Sequence, residues 1–150
     1  MKSLYEPPTV TEVKSRIAKL RPDSPRQWGK MSPAQALAHC SASMQMATGE
    51  LRPPRAFIGR VFGGIAKRSL IVKGRPMGRN APTDPNLKVV DDRDLSVETR
   101  RLGGLIDRFA TGGPTACTTH PHSFFGPLTP DEWARLMYVH LDHHLKQFQA

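Results

Sequence analysis

Three of the six histidines fall within five residues near the C-terminus, at His140, His143 and His144. Residues four apart on a helix project from the same side, about 5.4 Å apart along the axis, so His140 and His144 can offer two imidazoles to one divalent ion. Such a pair needs a third ligand from another element, and His39, on the apolar stripe of an earlier segment, is the well-placed candidate. Three neutral imidazoles would leave an ion its full positive charge and an open coordination position, which lowers the pKa of water or a thiol toward neutrality. A thiolate there would give thiol transfer, and hydroxide would give hydrolysis. A plainer reading stands beside this one: a lone histidine on a core face is most often structural, and amphipathic helices bring such pairs together by chance. His143 lies roughly 60° around the helix from His140, where it either competes as a ligand or faces solvent.

Gln147, three residues after His144, and Gln35, four before His39, lie at spacings that could orient the rings from behind. The competing roles are a helix cap for Gln35 and an exposed amide for Gln147. His120, and less so His122, sit in a connector from which they could reach the mouth of a site. Cys40 is about 100° around the helix from His39 and reads as packing. The sequence holds no C-x-x-C pair, no assemblable Ser/His/Asp triad, no phosphate-binding glycine motif and no paired catalytic carboxylates.

The elements that must position these groups are helices, because no run alternates apolar and polar residues and no Asn-Gly or Asp-Gly hairpin turn occurs. Val10, Val13, Ile17 and Leu20 predict a first helix from about Thr9 to Leu20, stopped by the Pro22 to Pro25 stretch. Ser32-Pro33-Ala34-Gln35 is a capping box that starts the helix bearing His39, and Gly49 suits its left-handed end. Phe57, Ile58, Val61, Phe62 and Ile65 recur at helical spacing and predict a short third helix, weakened by Gly59, Gly63 and Gly64. Its two aromatic rings read as core rather than as a base-stacking surface. From Lys73 to Asp92 the chain is a long Pro- and Gly-rich loop, either a cover over a site or an irregular crossover. Leu95, Leu102, Leu105, Ile106 and Phe109 trace a helix from about Asp94 to Ala110, ahead of a Thr111-Gly112-Gly113-Pro114 stop. Thr129-Pro130-Asp131-Glu132 repeats the capping signal for a last helix running to the C-terminus, with Trp133, Leu136, Met137, His140, Leu141, His144 and Phe148 on one broad face.

Two stretches resemble motifs of the DinB/YfiT-like superfamily of metalloenzymes: Trp28-Gly29-Lys30-Met31-Ser32-Pro33-Ala34-Gln35-Ala36-Leu37-Ala38-His39, and His140-Leu141-Asp142-His143-His144-Leu145-Lys146-Gln147. The link from His120-Pro121 through Phe125-Gly126-Pro127-Leu128 to Thr129-Pro130 is similar to an uncharacterised branch of it. The resemblance implies an all-α, DinB-like four-helix bundle of up-down-down-up topology, often dimeric, holding a zinc or nickel ion on His39, His140 and His144. It implies a single domain over residues 1–150, with a short extra helix and a long loop in the middle. Characterised relatives include S-transferases that use a low-molecular-weight thiol and isomerases, while many members have no known activity. The first helix here is shorter and the basic middle longer than is usual, so pocket shape does not carry over.

A chain of 150 residues with 38% hydrophobic content can bury one core unaided. No stretch approaches the roughly 18–20 apolar residues of a membrane span, and MKSLYEPPTVTEV lacks an apolar signal region, so a cytoplasmic protein with no membrane partner is expected. The net charge of +9 is uneven: eight Lys and Arg from Arg52 to Arg79 are accompanied by no acid. That strip reads as solvated surface, as a dock for an anionic small molecule or, with less support, as a nucleic-acid contact. The function expected is a metal-dependent enzyme acting on a small molecule. The alternatives are a metal-binding protein without turnover and, less well supported, a basic nucleic-acid-binding protein.

Overall fold

Proline-led capping boxes start the two helices that carry the three histidines. The computed structural model describes residues 1–150 as five α-helices: α1 (Pro7–Ala18), α2 (Pro33–Thr48), α3 (Phe57–Lys67), α4 (Leu95–Ala116) and α5 (Pro130–Gln147). At the head of α2 the Ser32 hydroxyl accepts from Gln35 N at 3.2 Å, and Gln35 Oε1 accepts from Ser32 N at 3.0 Å. Thr129 and Glu132 make the same exchange before α5, at 3.2 and 2.9 Å. Each cap satisfies amides the helix itself leaves free and contributes about 1 kcal/mol. Gly49 ends α2 at φ 80°, the left-handed turn glycine adopts freely.

Nearly all of α2 is buried, which makes it the central element. It packs most extensively on α4 and also on α5, while α1 lies against α4 and α5. Trp133, Phe109, Met44, Leu102, Ile106 and Leu141 fill the core between them, and Tyr5 stacks on Phe109 with centroids 5.3 Å apart. Arg16 of α1 ties down the end of α5 through Asp142 at 2.8 Å and the Ala150 carbonyl at 2.9 Å. There is no strand, only an isolated bridge between His122 and Gly126. No helix is long and apolar enough to cross a membrane.

Three expectations need correction. The first helix starts two residues earlier than its apolar spacing indicates, on Pro7, and Lys19 and Leu20 form only a closing turn onto Arg16 O and Ile17 O. Helix α4 passes beyond Ala110 to Gly112, where Gly113 at φ 59°, ψ −152° breaks it with a backbone shape only glycine tolerates; a separate turn then reaches Ala116. The rings of Phe57 and Phe62 are not core: they are 81% and 54% exposed. Helix α3 instead buries Gly59 and Gly63 against the backbone of Phe124, and it continues into a π-turn at Arg68–Val72.

The long loop after that turn carries one short 3₁₀ turn, Pro85–Leu87, whose start is pinned by Asp84 Oδ1 accepting from Asn86 N at 2.9 Å. Leu87 is buried and lies against α2. That contact places its carbonyl at the histidines.

Candidate metal centre

His39 lies in the second turn of α2, and His140 and His144 lie one turn apart late in α5. Their rings form a nearly equilateral triangle, with centroids 4.8, 4.9 and 4.7 Å apart for His39–His140, His39–His144 and His140–His144. One ring nitrogen from each falls within 4.8 Å of the others, and His39 Nε2 is 2.9 Å from His140 Nε2. Nitrogens bound about 2.0–2.1 Å from a common ion stand about 2.9 Å apart at a right angle and about 3.4 Å apart at a tetrahedral one. The closest pair therefore sits at the short end of the coordination range.

Two hydrogen bonds set which nitrogen each ring presents. His39 Nδ1 is 2.9 Å from the Leu87 carbonyl, which can only accept, so the proton is on Nδ1 and the lone pair on Nε2. His144 Nδ1 is 2.9 Å from Gln147 Oε1. The orientation of that amide is fixed in turn by Gln147 Nε2 donating to the Trp28 carbonyl at 2.8 Å. Without a metal, the two Nε2 atoms of His39 and His140 can face each other only if His140 carries the proton between them.

His39 and His144 are buried, and His140 keeps a fraction of its surface exposed although its ring is closely enclosed. Burial lowers the pKa of His39, opposed by the Leu87 bond. It pushes His140 well below the usual histidine range, helped by the charges of His144 and His39, and His144 down to about 3. Neutral imidazoles with their lone pairs held together are the donor set a divalent cation requires.

The remaining candidates separate. Gln147 contacts His144 directly. Gln35 closes the capping box and donates from Nε2 to the Asp91 carbonyl at 3.0 Å, making no hydrogen bond to His39. His143 stands outside the triangle, tilted 5.2 Å from the Trp28 ring. His120 makes no hydrogen bond to the trio, whereas His122 is near enough for its charge to weigh on His140; burial lowers its own pKa to about 4. Cys40 is buried, and burial pushes its thiol pKa up, which suits packing. Sequence reasoning missed the Leu87 and Trp28 carbonyls, since a backbone acceptor leaves no trace in residue type.

At the edge of the centre the Trp28 ring carries the Arg79 guanidinium at 4.5 Å, and Arg79 forms no ion pair. Gly29, at φ 75°, lets the chain turn there, and a Cβ on it would come within 2.7 Å of Gln147 Nε2.

The family model described as protein of unknown function (DUF1569) matches residues 6–150. The chain belongs to that family. The match takes in both capping boxes, all three clustered histidines, Gln147, and the carbonyls of Trp28 and Leu87. No curated protein and no solved structure matches the chain.

Proposed function

We propose that this DUF1569 chain is a metal-dependent enzyme that holds one divalent ion, zinc or nickel, on His39, His140 and His144. The observation that carries the reading is the convergence of three neutral imidazoles, two of them locked from behind so that Nε2 points inward. Without a cation a proton must sit between the His39 and His140 rings, whereas a divalent cation would satisfy all three inward nitrogens at once. An ion at this position supplies Lewis acidity, which acidifies water or a thiol.

The resemblance to the DinB/YfiT-like superfamily supports a single domain over residues 1–150. The packing of α1, α2, α4 and α5 supports a four-helix bundle with α3 as the extra element, for which the resemblance implies the up-down-down-up topology. Two free cysteines, Cys40 and Cys117, fit a reducing cytoplasm. Under this reading the substrate is a small anionic molecule, and the reaction is thiol-dependent S-transfer or hydrolysis. Arg79 supports the anionic character: stacked on Trp28, it is a cation without a carboxylate at the edge of the centre. A homodimer, which the resemblance to that superfamily implies, is part of the proposal.

Elemental analysis of purified protein tests the metal, with one divalent ion per chain expected. Adding low-molecular-weight thiols to cobalt-loaded protein tests the reaction, because a thiolate ligand gives an intense sulfur-to-metal charge-transfer band. Loss of that band in His39→Ala is expected. A protein holding one cobalt per chain that shows no band with any physiological thiol would leave hydrolysis.

A further inference from the structure

Helix α3 turns its most apolar side to solvent. Phe57, Ile58, Val61, Phe62 and Ile65 are exposed by 81, 55, 56, 54 and 73%. At about 100° per residue they occupy one arc of about 140°. A helix normally rolls such an arc onto the core, and here it cannot. The side facing the protein is Gly59 and Gly63, and a Cβ at either would approach the Phe124 carbonyl oxygen to 2.5 or 2.2 Å. The Ala56 N to Ser123 O bond at 2.9 Å and the Lys67 bond to Pro127 O at 3.0 Å pin both ends in that orientation. The outward apolar face is therefore built into the fold, and Val72, 59% exposed, extends it past the helix.

The surroundings of this arc are cationic. From Leu51 to Thr83 there are eight Lys and Arg and no Asp or Glu. Lys67 is neutralised by Glu132 at 2.8 Å, while Arg60, Arg68, Lys73 and Arg75 make no ion pair. Arg60 lies about 60° from Phe57, on one flank of the arc.

From these two observations we infer that α3 docks the protein on an anionic lipid surface. A protruding row of aromatic and branched side chains with a basic rim matches an in-plane interfacial helix: the apolar arc enters the boundary of the acyl chains and the cations meet the headgroups. A helix lying in that plane needs no spanning stretch, so the lack of one does not bear on it. A second copy seated on the same face would bring two uncompensated basic strips together. Nucleic acid would use the charge but leave the apolar arc in water. The inference is independent of the metal reading, and lipid docking would hold the centre near a membrane while leaving the chain extractable by salt.

The test is co-sedimentation of the full-length protein with vesicles of phosphatidylcholine alone and of phosphatidylcholine mixed with phosphatidylglycerol. Partitioning is expected to be at least about tenfold stronger on the mixed vesicles and to fall as salt rises. The double variant Phe62→Ser/Ile65→Ser, whose sites are solvent-exposed, should lose about tenfold or more of that binding while keeping its melting temperature and metal content. Phe62→Trp should shift its emission to the blue on mixed vesicles and be quenched by brominated acyl chains. Three results overturn the inference: no partitioning on either vesicle, equal partitioning by Phe62→Ser/Ile65→Ser, or a concentration-dependent dimer that this variant dissolves in a protein that ignores vesicles.

Discussion

Gln147 grips His144 with one end of its amide, Oε1 to Nδ1 at 2.9 Å, and the Trp28 carbonyl with the other, Nε2 to O at 2.8 Å. Because the carbonyl accepts only, the amide has one orientation and the imidazole one tautomer. Gln147→Ala removes both bonds. Divalent-metal affinity should fall about 10- to 100-fold by calorimetric titration, the usual effect of losing a group that orients a ligand. The carbonyl left without its partner should cost about 1–3 kcal/mol in a urea melt.

The triangle also ranks the histidines. His39→Ala, His140→Ala and His144→Ala should each abolish stoichiometric binding of a divalent ion, while His143→Ala, outside the triangle, should keep it within about a few-fold. If His143→Ala lost the ion and His144→Ala kept it, the wrong member of the adjacent pair would have been chosen.

Acid should destabilise the metal-free protein earlier than carboxylates alone would. The folded pKa values of His144, about 3, and His122, about 4, are depressed by burial below the unfolded value of about 6.5. Between the folded and unfolded values the unfolded chain binds more protons, so this contribution is complete above about pH 6.5 and is lost as pH falls toward those lower values. Each buried neutral histidine adds a slope of up to about 1.4 kcal/mol per pH unit. Urea melts in a chelator at pH 7 and pH 5 measure it, and a stability that does not change over that interval would contradict the burial of these rings. An ion on the centre should raise stability at both pH values and extend the dependence to lower pH, because it holds the folded pKa values of His39, His140 and His144 still further below the unfolded one.

Glycine-to-alanine changes in α3 should split by position. Within a helix the exchange ordinarily stabilises by about 0.5–1 kcal/mol. Gly64 has nothing within 4 Å of a new Cβ, so Gly64→Ala should follow that rule. Gly63→Ala meets the Phe124 oxygen at 2.2 Å and should instead destabilise by about 1–3 kcal/mol, as overpacking does. Thermal melts of the two variants side by side decide the point.

What the sequence made legible followed from local chemistry. Ser32 and Thr129 marked both histidine-bearing helices because a hydroxyl cap, a proline and a residue able to return the bond lie within four positions. His140 and His144 could be paired by helical period alone, and His39 by its place on an apolar stripe. Helix α3 was legible as a helix but not in its orientation: periodicity identifies an apolar face without saying what lies opposite it, and two of the glycines that lowered its propensity, Gly59 and Gly63, are what seat it on Phe124. Gln35 illustrates the same limit, since its spacing from His39 fitted two roles and its own backbone neighbour took it. The Gly113 break was visible in composition, inside the expected Thr111-Gly112-Gly113-Pro114 stop.

The bond from His39 to the Leu87 carbonyl has an evolutionary consequence. An acceptor that belongs to the main chain cannot be deleted by changing a side chain, so position 87 is free to vary among apolar residues that fill the same space while the ring stays oriented. What the arrangement does not tolerate is a change in chain length, because one residue inserted or removed between Lys73 and Asp84 can displace the 3₁₀ turn and carry the carbonyl away from the ring. Selection on this centre should therefore be written in the spacing of the loop more than in its letters.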